Sequence, residues 1–455
     1  MKKKTCLILL IAAVMMLSGC TLVVKDPEVD AKRVIIDVNG ETVDKRAFIN
    51  IYNNALNEEY ATQQMYKQFG MIQSINIDPD QVMQATLDGL VRRMVLLQKA
   101  RELKLDELTE EETAELAAAI DASWQESLDQ IKRMDMADTE LEGDELTAAL
   151  EEKAVEYGIT REVVEQSERE QMLLKKIRAL ATEDSAVTDE AIQADFDAKV
   201  EAAKAEYEGS PDAFGSAVNA SRTVYYRPAG YRYIKQVLVK FFADDQAVID
   251  EALKALTTAK QELTAAQSDK SLNDTALAQD GQSETDIALL QEKAGELDAK
   301  VAAAQEKVDQ AEQKLNEEKE KGYANIFEKA TDICTRAKDG EDFDALVEEY
   351  NEDKGMPETG YAVREGFASF DAAFVTPAMA LENPGDVAEP SKGDYGYYIV
   401  QYAAAIDEGP MPLADVREGI HDELLAAKQE EDFTAATEVW VAESNVQTYI
   451  ERVND

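Results

Sequence analysis

The 455-residue sequence has very little histidine and cysteine, and that scarcity limits its chemistry. His421 is the one histidine, and the cysteines are Cys6, Cys20 and Cys334. Zinc sites need histidine, cysteine or clustered acids at ligand spacing, and a serine-histidine-aspartate triad could use only His421. The sequence also has no P-loop and no Gly-x-Gly-x-x-Gly fingerprint. We therefore expect no metal, no nucleotide and no other cofactor.

Basic residues are also few, because 47 lysines and arginines face 93 acids and the formal net charge is −46. Such a surface repels nucleic acid, so we expect no nucleic-acid partner. It favours solubility and cationic clients. The hydrophobic content of 45% permits packed cores. The length suits two to three domains of roughly 100–200 residues each.

The first twenty residues, MKKKTCLILLIAAVMMLSGC, indicate export. Three lysines precede an apolar run that is shorter than the ~20 residues of a membrane span. Leu17, Ser18, Gly19 and Cys20 resemble the bacterial lipobox, in which the cysteine is lipidated. We expect a signal peptide at residues 1–19, a lipid on Cys20 that holds the protein on the outer face of the cell membrane, and a tether at residues 20–32. An ordinary signal peptide or a short anchor is the alternative.

The next part of the chain predicts a mainly helical domain. A strand, a turn at Asn39-Gly40 and a second strand precede a helix that Asp44 can cap. A capping box at Thr109 and Glu112 begins a helix-rich stretch without strand signals. A Gly-, Ser- and Pro-rich break then leads to an alternating strand, so we place a domain boundary near Arg227 and the helical domain at residues 33–226.

Residues 244–321 predict an antiparallel coiled-coil hairpin. Apolar residues step by three and four along its second helix, at Ile287, Leu290, Ala294, Leu297, Val301, Ala304, Val308, Ala311 and Leu315. The polar stretch SDKSLNDTALAQDGQSET suits the connecting loop. The pattern leaves open whether the helices pair within one chain or between the two chains of a homodimer.

The remainder returns to mixed helix and strand, which makes the predicted fold α+β. Two short helices divided by Asp339-Gly340 come first, and a strand, a helix, a turn at Pro384-Gly385 and a closing strand follow. Residues 406–455 predict a long helix and a short strand.

Three stretches resemble, in order, the parvulin (PpiC-type) prolyl isomerase domain: YIKQVLVKF, GEDFDALVEEYNEDKG and AFVTPAMALENPGDVAEPSKGDYGYYIVQY. VNGETVDKRAF with its following helix resembles the N-terminal chaperone domain of PrsA-like and SurA-like foldases. The resemblance implies a parvulin-like α/β domain with an antiparallel sheet at residues 227–243 and 322–405. The hairpin is then an insertion after its first strand, and residues 410–455 complete the helical chaperone domain.

The resemblance also implies a site, in which two residues depart from the family. Gln236 and Tyr398 stand where the family has histidines, and Asp353 keeps the family's acidic position. The proline pocket falls on Phe370, Phe374 and Met379, although Phe370 and Phe374 lie four residues apart and could simply pack a helix onto the sheet. Because both histidines are replaced, we expect isomerase activity to be weak or absent.

These observations predict a lipid-anchored foldase or chaperone that binds unfolded or secreted polypeptides at Xaa-Pro segments. The first alternative is an active peptidyl-prolyl isomerase with a rebuilt hydrogen-bond network, since glutamine and tyrosine can also donate and accept. The second is a structural adaptor that acts through the hairpin.

Overall fold

The computed structural model describes residues 26–281 and 283–453, which fall into two compact units. Unit 1 contains the described residues up to Val187 and from Asp422 onward, and unit 2 contains those from Thr188 to His421. The predicted signal peptide, Cys20 and the first part of the tether lie outside the described residues. Within those ranges, no helix combines the length and the apolar character that crossing a bilayer requires.

Unit 1 surrounds a small antiparallel sheet with helices. Its strands are β1 (Val34–Val38), β2 (Glu41–Asp44) and β9 (Val446–Thr448), in the order β2-β1-β9. Ile35 and Phe48 are fully buried against this sheet, together with apolar residues from the C-terminal part of the chain. The helices before unit 2 are α1 (Pro27–Ala31), α2 (Lys45–Gln68), α3 (Pro79–Glu102), α4 (Glu110–Asp135), α5 (Gly143–Glu156) and α6 (Arg161–Ala181).

The helix caps that were predicted at Asp44 and Thr109 are confirmed, and the predicted tether is partly wrong. The Asp44 side chain accepts from the backbone of Ala47, and Thr109 forms a reciprocal capping box with Glu112. The end of the tether is folded, because residues 27–31 form α1. The Asp30 carboxylate in α1 accepts a hydrogen bond from Lys45 Nζ at 2.7 Å, which fastens this helix to the start of α2.

Unit 2 is built on a four-stranded antiparallel sheet in the order β5-β4-β7-β6. The strands are β4 (Arg232–Lys240), β5 (Tyr361–Val363), β6 (Ser391–Gly393) and β7 (Gly396–Ala405). A two-stranded ribbon joins β3 (Tyr226–Arg227) to β8 (Gly409–Pro410). In the central pair Leu238 lies opposite Tyr398, so the alternation of side chains along both strands decides which residues reach each face. With the helices of both units, this sheet confirms the α+β prediction.

The helices of unit 2 begin earlier in the chain than the sequence predicted. The break near Arg227 is not the boundary, because residues 188–226 belong to unit 2. Tyr207 and Phe214 pack edge to face at 5.7 Å, and Phe214 packs on Tyr231 at 4.8 Å, beside β4. The helices are α7 (Asp189–Gly209), α8 (Ala213–Asn219), α9 (Ala243–Leu277), α10 (Glu284–Lys338), α11 (Phe343–Tyr350), α12 (Ala372–Ala380) and α13 (Leu413–Glu443), whose C-terminal part belongs to unit 1.

Helices α9 and α10 form an antiparallel hairpin that is longer than predicted. Lys300 binds Asp269 at 2.7 Å and Lys307 binds Glu262 at 2.6 Å, so residue numbers rise along one helix as they fall along the other. The predicted loop is mostly helical, since α9 continues to Leu277 and α10 begins at Glu284. The predicted short helix before Asp339-Gly340 is the end of α10, whose residues Tyr323 and Ile326 are buried against the sheet.

Candidate functional site

A hydrogen-bonded triplet lies beside strands β4 and β5 of the unit 2 sheet. Gln236 on β4 donates from Nε2 to Asp353 Oδ2 at 2.7 Å. The hydroxyl of Tyr361 on β5 donates to the same oxygen at 2.9 Å, and the backbone of Gly355 donates to Oδ1 at 3.0 Å. The structure therefore brings together two of the residues that the family resemblance singled out, Gln236 and Asp353, and adds Tyr361.

Asparagine 351 fixes the segment that carries Asp353. Helix α11 ends at Tyr350, and the Asn351 side chain then accepts from the backbone N–H of Leu238 at 3.0 Å and of Asp353 at 3.1 Å. Its own Nδ2 donates to the Asp353 carbonyl at 2.9 Å. Because Leu238 belongs to the central strand, these bonds hold the carboxylate at a set distance from the sheet.

Tyr397 and Tyr398 point to opposite faces of β7. Tyr397 packs against the hairpin helix α10, with its ring 5.4 Å from that of Tyr323. Tyr398 faces the triplet side and packs on Phe374 at 6.0 Å. A Cβ on Gly393 would come within 2.1 Å of the Tyr398 ring, so the glycine leaves room for a tyrosine at this position.

A cavity of about 510 Å³ opens between these residues. Gln236 and Asp353 line one side, Phe370 and Phe374 contribute aromatic surface, and Tyr398 lies on the wall formed by β7. All five side chains come from unit 2. The arrangement is a polar triplet beside an aromatic surface.

The three predicted pocket residues do not line one cavity. Phe374 is almost fully buried, and Phe370 contacts it with ring centroids 5.4 Å apart. Met379 lines a second cavity of about 650 Å³, which Phe370 also borders. Phe370 therefore separates two neighbouring hollows, and Met379 lies on the far side of it from Asp353.

Burial and negative charge together make the cavity unfavourable for further anions. The pKa of the Tyr398 hydroxyl is raised mainly by burial, and then by the nearby carboxylates of Asp371, Asp394 and Asp353. The pKa of Tyr361 is raised by burial and by its hydrogen bond to Asp353. Both hydroxyls therefore stay protonated at neutral pH, and the Tyr361 hydroxyl donates to Asp353.

Cys334 and His421 are not among the residues that line this cavity. In the part of the chain that the structure describes, no group of histidine, cysteine and acidic side chains is arranged to hold a metal ion. Cys334 is buried, and burial raises the pKa of its thiol, which disfavours the nucleophilic thiolate. The cavity can therefore bind, orient and hydrogen-bond a ligand.

Sequence reasoning missed Tyr361, Asn351 and Asp371. Asp371 caps α12 through the backbone of Ala373 at 2.8 Å and also accepts from the backbone of Asp394 at 2.7 Å. An aspartate just before an apolar helix is a capping signal that could have been used for Asp371. Tyr361 carried no such signal, because its contact with Asp353 depends on how β5 pairs with β4.

Two protein families match separate parts of the chain. Residues 2–178 match the family described as the SurA-like N-terminal domain. Residues 282–404 match the PPIC-type PPIASE domain, and this match includes Asp353, Tyr361 and Tyr398. Gln236 precedes the matched range, on the other side of α9.

Curated relatives match over short stretches. Foldase protein PrsA 2 of Listeria monocytogenes is 39% identical over 74 residues, which is 16% of this chain and 25% of the relative. Foldase protein PrsA of Clostridium botulinum is 30% identical over 112 residues, or 24% of this chain and 33% of the relative. The matched stretch thus spans a quarter to a third of each relative.

Solved structures of similar proteins align with low scores. A chain from the structures of the SurA-like chaperones PEB4 and Cj1289 of Campylobacter jejuni aligns with 12% identity and a TM-score of 0.24. The alignment covers 75% of this chain and 88% of that chain. PrsA from Bacillus subtilis gives 16% identity and a TM-score of 0.18, over 91% of each chain.

Proposed function

We propose that this chain is an extracytoplasmic foldase or chaperone for exported proteins. One part of it matches the SurA-like N-terminal domain and another matches the PPIC-type prolyl isomerase domain, the combination found in PrsA-like and SurA-like foldases. The chain binds unfolded Xaa-Pro segments, with weak or absent isomerase activity. The triplet of Gln236, Asp353 and Tyr361 beside the aromatic surface carries this proposal. Together they form a site that is large enough for a polypeptide segment and contains no covalent catalyst.

Weak activity follows from what the triplet can offer. Rotation about a peptide bond has a barrier of ~18–20 kcal/mol, and catalysis requires tighter binding of the twisted amide than of the planar forms. Gln236 Nε2 and the Tyr361 hydroxyl are already committed to Asp353. Fixed neutral donors of this kind hold a carboxylate in place, but they bring no cation and no proton that moves at neutral pH.

An active enzyme is the second candidate, and the same triplet is the observation that favours it. Asp353 accepts two side-chain hydrogen bonds on one oxygen and a backbone bond on the other, so its position is well defined. A preorganised carboxylate can stabilise a transition state without reorganisation. The two candidate functions therefore bind the same kind of segment and differ in whether the protein catalyses its isomerisation.

Exposed apolar side chains in unit 1 support the chaperone part of the proposal. Phe69 and Met71 follow α2 and are 72% and 70% exposed, and Tyr60, Met65 and Tyr66 on α2 are also exposed. Methionine and aromatic side chains adapt to many apolar partners, and clustered exposure of such residues is unusual without a binding role. This segment is suited to hold unfolded chains before or after they reach unit 2.

The proposed location at the cell membrane depends on a lipid attached to Cys20, which lies outside the described residues. Diacyl modification would supply two lipid chains, which is the number that stable anchoring requires. Mass spectrometry of the membrane fraction should find a mature N-terminus at Cys20 that carries lipid. A soluble mature protein that begins at another residue would contradict the anchoring.

Proline-limited refolding of a model protein, followed together with its aggregation, tests the proposed function. The protein comprising residues 21–455 is compared with Asp353→Ala and with a Gln236→His/Tyr398→His double variant. We expect suppressed aggregation and little acceleration of the slow phase by the native protein. Catalysis that Asp353→Ala abolishes would establish the active enzyme instead. If the native protein neither catalyses refolding nor suppresses aggregation, the proposed function as a whole is contradicted.

A further inference from the structure

The rim of the 510 Å³ cavity carries a concentration of carboxylates. Asp371 and Asp394 line the cavity together with Asp353, and Lys240 contributes a basic side chain. Asp394 is exposed and forms an ion pair with Lys319 at 2.7 Å. Because the Asp394 side chain is 72% exposed, this ion pair is weak and can exchange with another cation.

The hydrogen bonds to the other two carboxylates leave their charge in place. Asp353 receives bonds from a side-chain amide, a phenol and a backbone N–H. Asp371 receives backbone N–H groups from Ala373 and Asp394. These donors are all uncharged, so they stabilise the carboxylates without neutralising them. The negative field is felt at Tyr398, whose pKa the same carboxylates help to raise.

Two further observations point to a ligand that brings cationic or N–H groups. Gln236 is 4% exposed and lines the cavity, and its Oε1 is a buried acceptor without a hydrogen-bond partner among the described residues. Tyr395 follows Asp394 directly, lines the same cavity and is 59% exposed. An exposed aromatic ring beside a carboxylate is a favourable place for an ammonium or guanidinium group.

We propose that this cavity is selective for Xaa-Pro segments in which a lysine or arginine lies next to the proline. The proline ring lies against Phe370, whose ring packs on the buried Phe374, and the cationic side chain extends to Asp394 and Tyr395 at the rim. This inference rests on the proposed function, because it names the class of polypeptide that the same site takes. Asp394 and Tyr395 are the specificity-determining residues.

Peptide binding tests the proposal without requiring catalysis. Fluorescein-labelled Ala-Xaa-Pro-Phe peptides, with Xaa as lysine, glutamine or glutamate, are titrated with the protein comprising residues 21–455 in an anisotropy assay. At low ionic strength we expect the lysine peptide to bind roughly two- to fivefold more tightly than the glutamine peptide, as one or two partly exposed ion pairs allow. The glutamate peptide should bind most weakly.

Matched variants assign the effect to the rim. Asp394→Asn should bring the lysine-to-glutamine affinity ratio close to one. Lys319→Gln should increase the ratio, because it releases Asp394 from its ion pair. Glu389→Gln is the control, since Glu389 is also an exposed carboxylate of unit 2 that pairs with a lysine, Lys338, but does not line the cavity.

The outcomes separate this inference from the proposed function. Equal affinities for the three peptides, tighter binding of the glutamate peptide, or a ratio that Asp394→Asn leaves unchanged would overturn the charge selectivity while Xaa-Pro binding stands. If none of the peptides binds, the Xaa-Pro site itself is wrong and the selectivity is wrong with it.

Discussion

At the scale of single residues, the Tyr361 hydroxyl is one of two side-chain donors that link the sheet to Asp353. Tyr361→Phe removes this hydroxyl and leaves Gln236 as the remaining side-chain donor to Oδ2. We expect a loss of about 1 kcal/mol in the free energy of unfolding, the usual size for one such bond, together with weaker Xaa-Pro peptide binding. Urea titration and anisotropy measure the two effects. Tyr395→Phe, at an exposed tyrosine, should leave the free energy of unfolding unchanged, and an equal loss there would contradict this reasoning.

Tyr323 gives a prediction for alkaline pH. Burial, with help from the charges of Asp394 and Asp371, raises the pKa of its hydroxyl to about 12, against about 10 for an unperturbed tyrosine. The folded state therefore holds this proton more tightly than the unfolded state does. The resulting stabilisation is complete below pH 10 and is lost as the pH rises from about 10 through 12.

Tyr323→Phe should accordingly flatten the decline in stability above pH 10. At neutral pH the variant should be less stable than the native protein by about 1 kcal/mol, because it loses the 2.7 Å bond to the Gly393 carbonyl. Urea unfolding at pH 8 and pH 11 measures both effects. A gap between the two proteins that stays constant over this interval would show that Tyr323 does not titrate as proposed.

The residues of the site show what a sequence can and cannot reveal. Gln236, Asp353 and Tyr398 were found because they occupy positions of a familiar pattern, and the first two prove to be hydrogen-bonded. The family resemblance assigns Met379 to the same pocket as Phe374, but Met379 lines the second cavity. Contacts such as that of Tyr361 arise from strand pairing, which the local sequence does not encode.

At the scale of elements, the turn between β6 and β7 depends on Gly396. Its φ is +144°, and a Cβ there would come within 2.0 Å of the Val239 carbonyl oxygen on β4. Gly396→Ala should therefore destabilise unit 2 by at least the roughly 1–2 kcal/mol that a left-handed residue costs, and by more from the clash. Thermal unfolding followed by circular dichroism measures the loss.

Gly385→Ala is the matched control for Gly396→Ala. Gly385 also has a positive φ, +98°, but a Cβ there would meet nothing within 4 Å. Gly385→Ala should therefore lose only the stability that the unfavourable backbone conformation costs, without the additional loss from a clash. Equal losses for the two variants would mean that the close approach of β7 to β4 does not constrain residue 396.

The hairpin helices show where element boundaries escape prediction. The apolar repeat correctly marked the helices around Leu297 and Val308, which are buried between α9 and α10. The stretch after residue 267 read as a loop because serine, aspartate and asparagine are poor helix formers. Packing overrides that preference, since buried Asn273 donates to the Leu290 carbonyl at 3.0 Å and holds this part of α9 against α10.

At the scale of the whole molecule, the dominant property is the net charge of −46. A net negative charge of this size raises the concentration of cationic partners near the protein surface. Salt screens the attraction over a Debye length of about 10 Å at 0.1 M. Unlike the selectivity of one cavity, this field acts on any part of a client. It needs no particular contact, so composition alone predicts it.

Suppression of aggregation should therefore depend on both client charge and salt. We expect the protein comprising residues 21–455 to protect a denatured lysine-rich client better at 50 mM than at 500 mM salt, with light scattering as the measurement. The same client with acetylated lysines is the control, because it keeps its apolar surface and loses its positive charge. Its protection should change little with salt, or should rise as salt strengthens apolar contacts. If both forms of the client respond equally to salt, the acidic surface serves solubility alone, and capture of clients depends on the exposed apolar residues of α2.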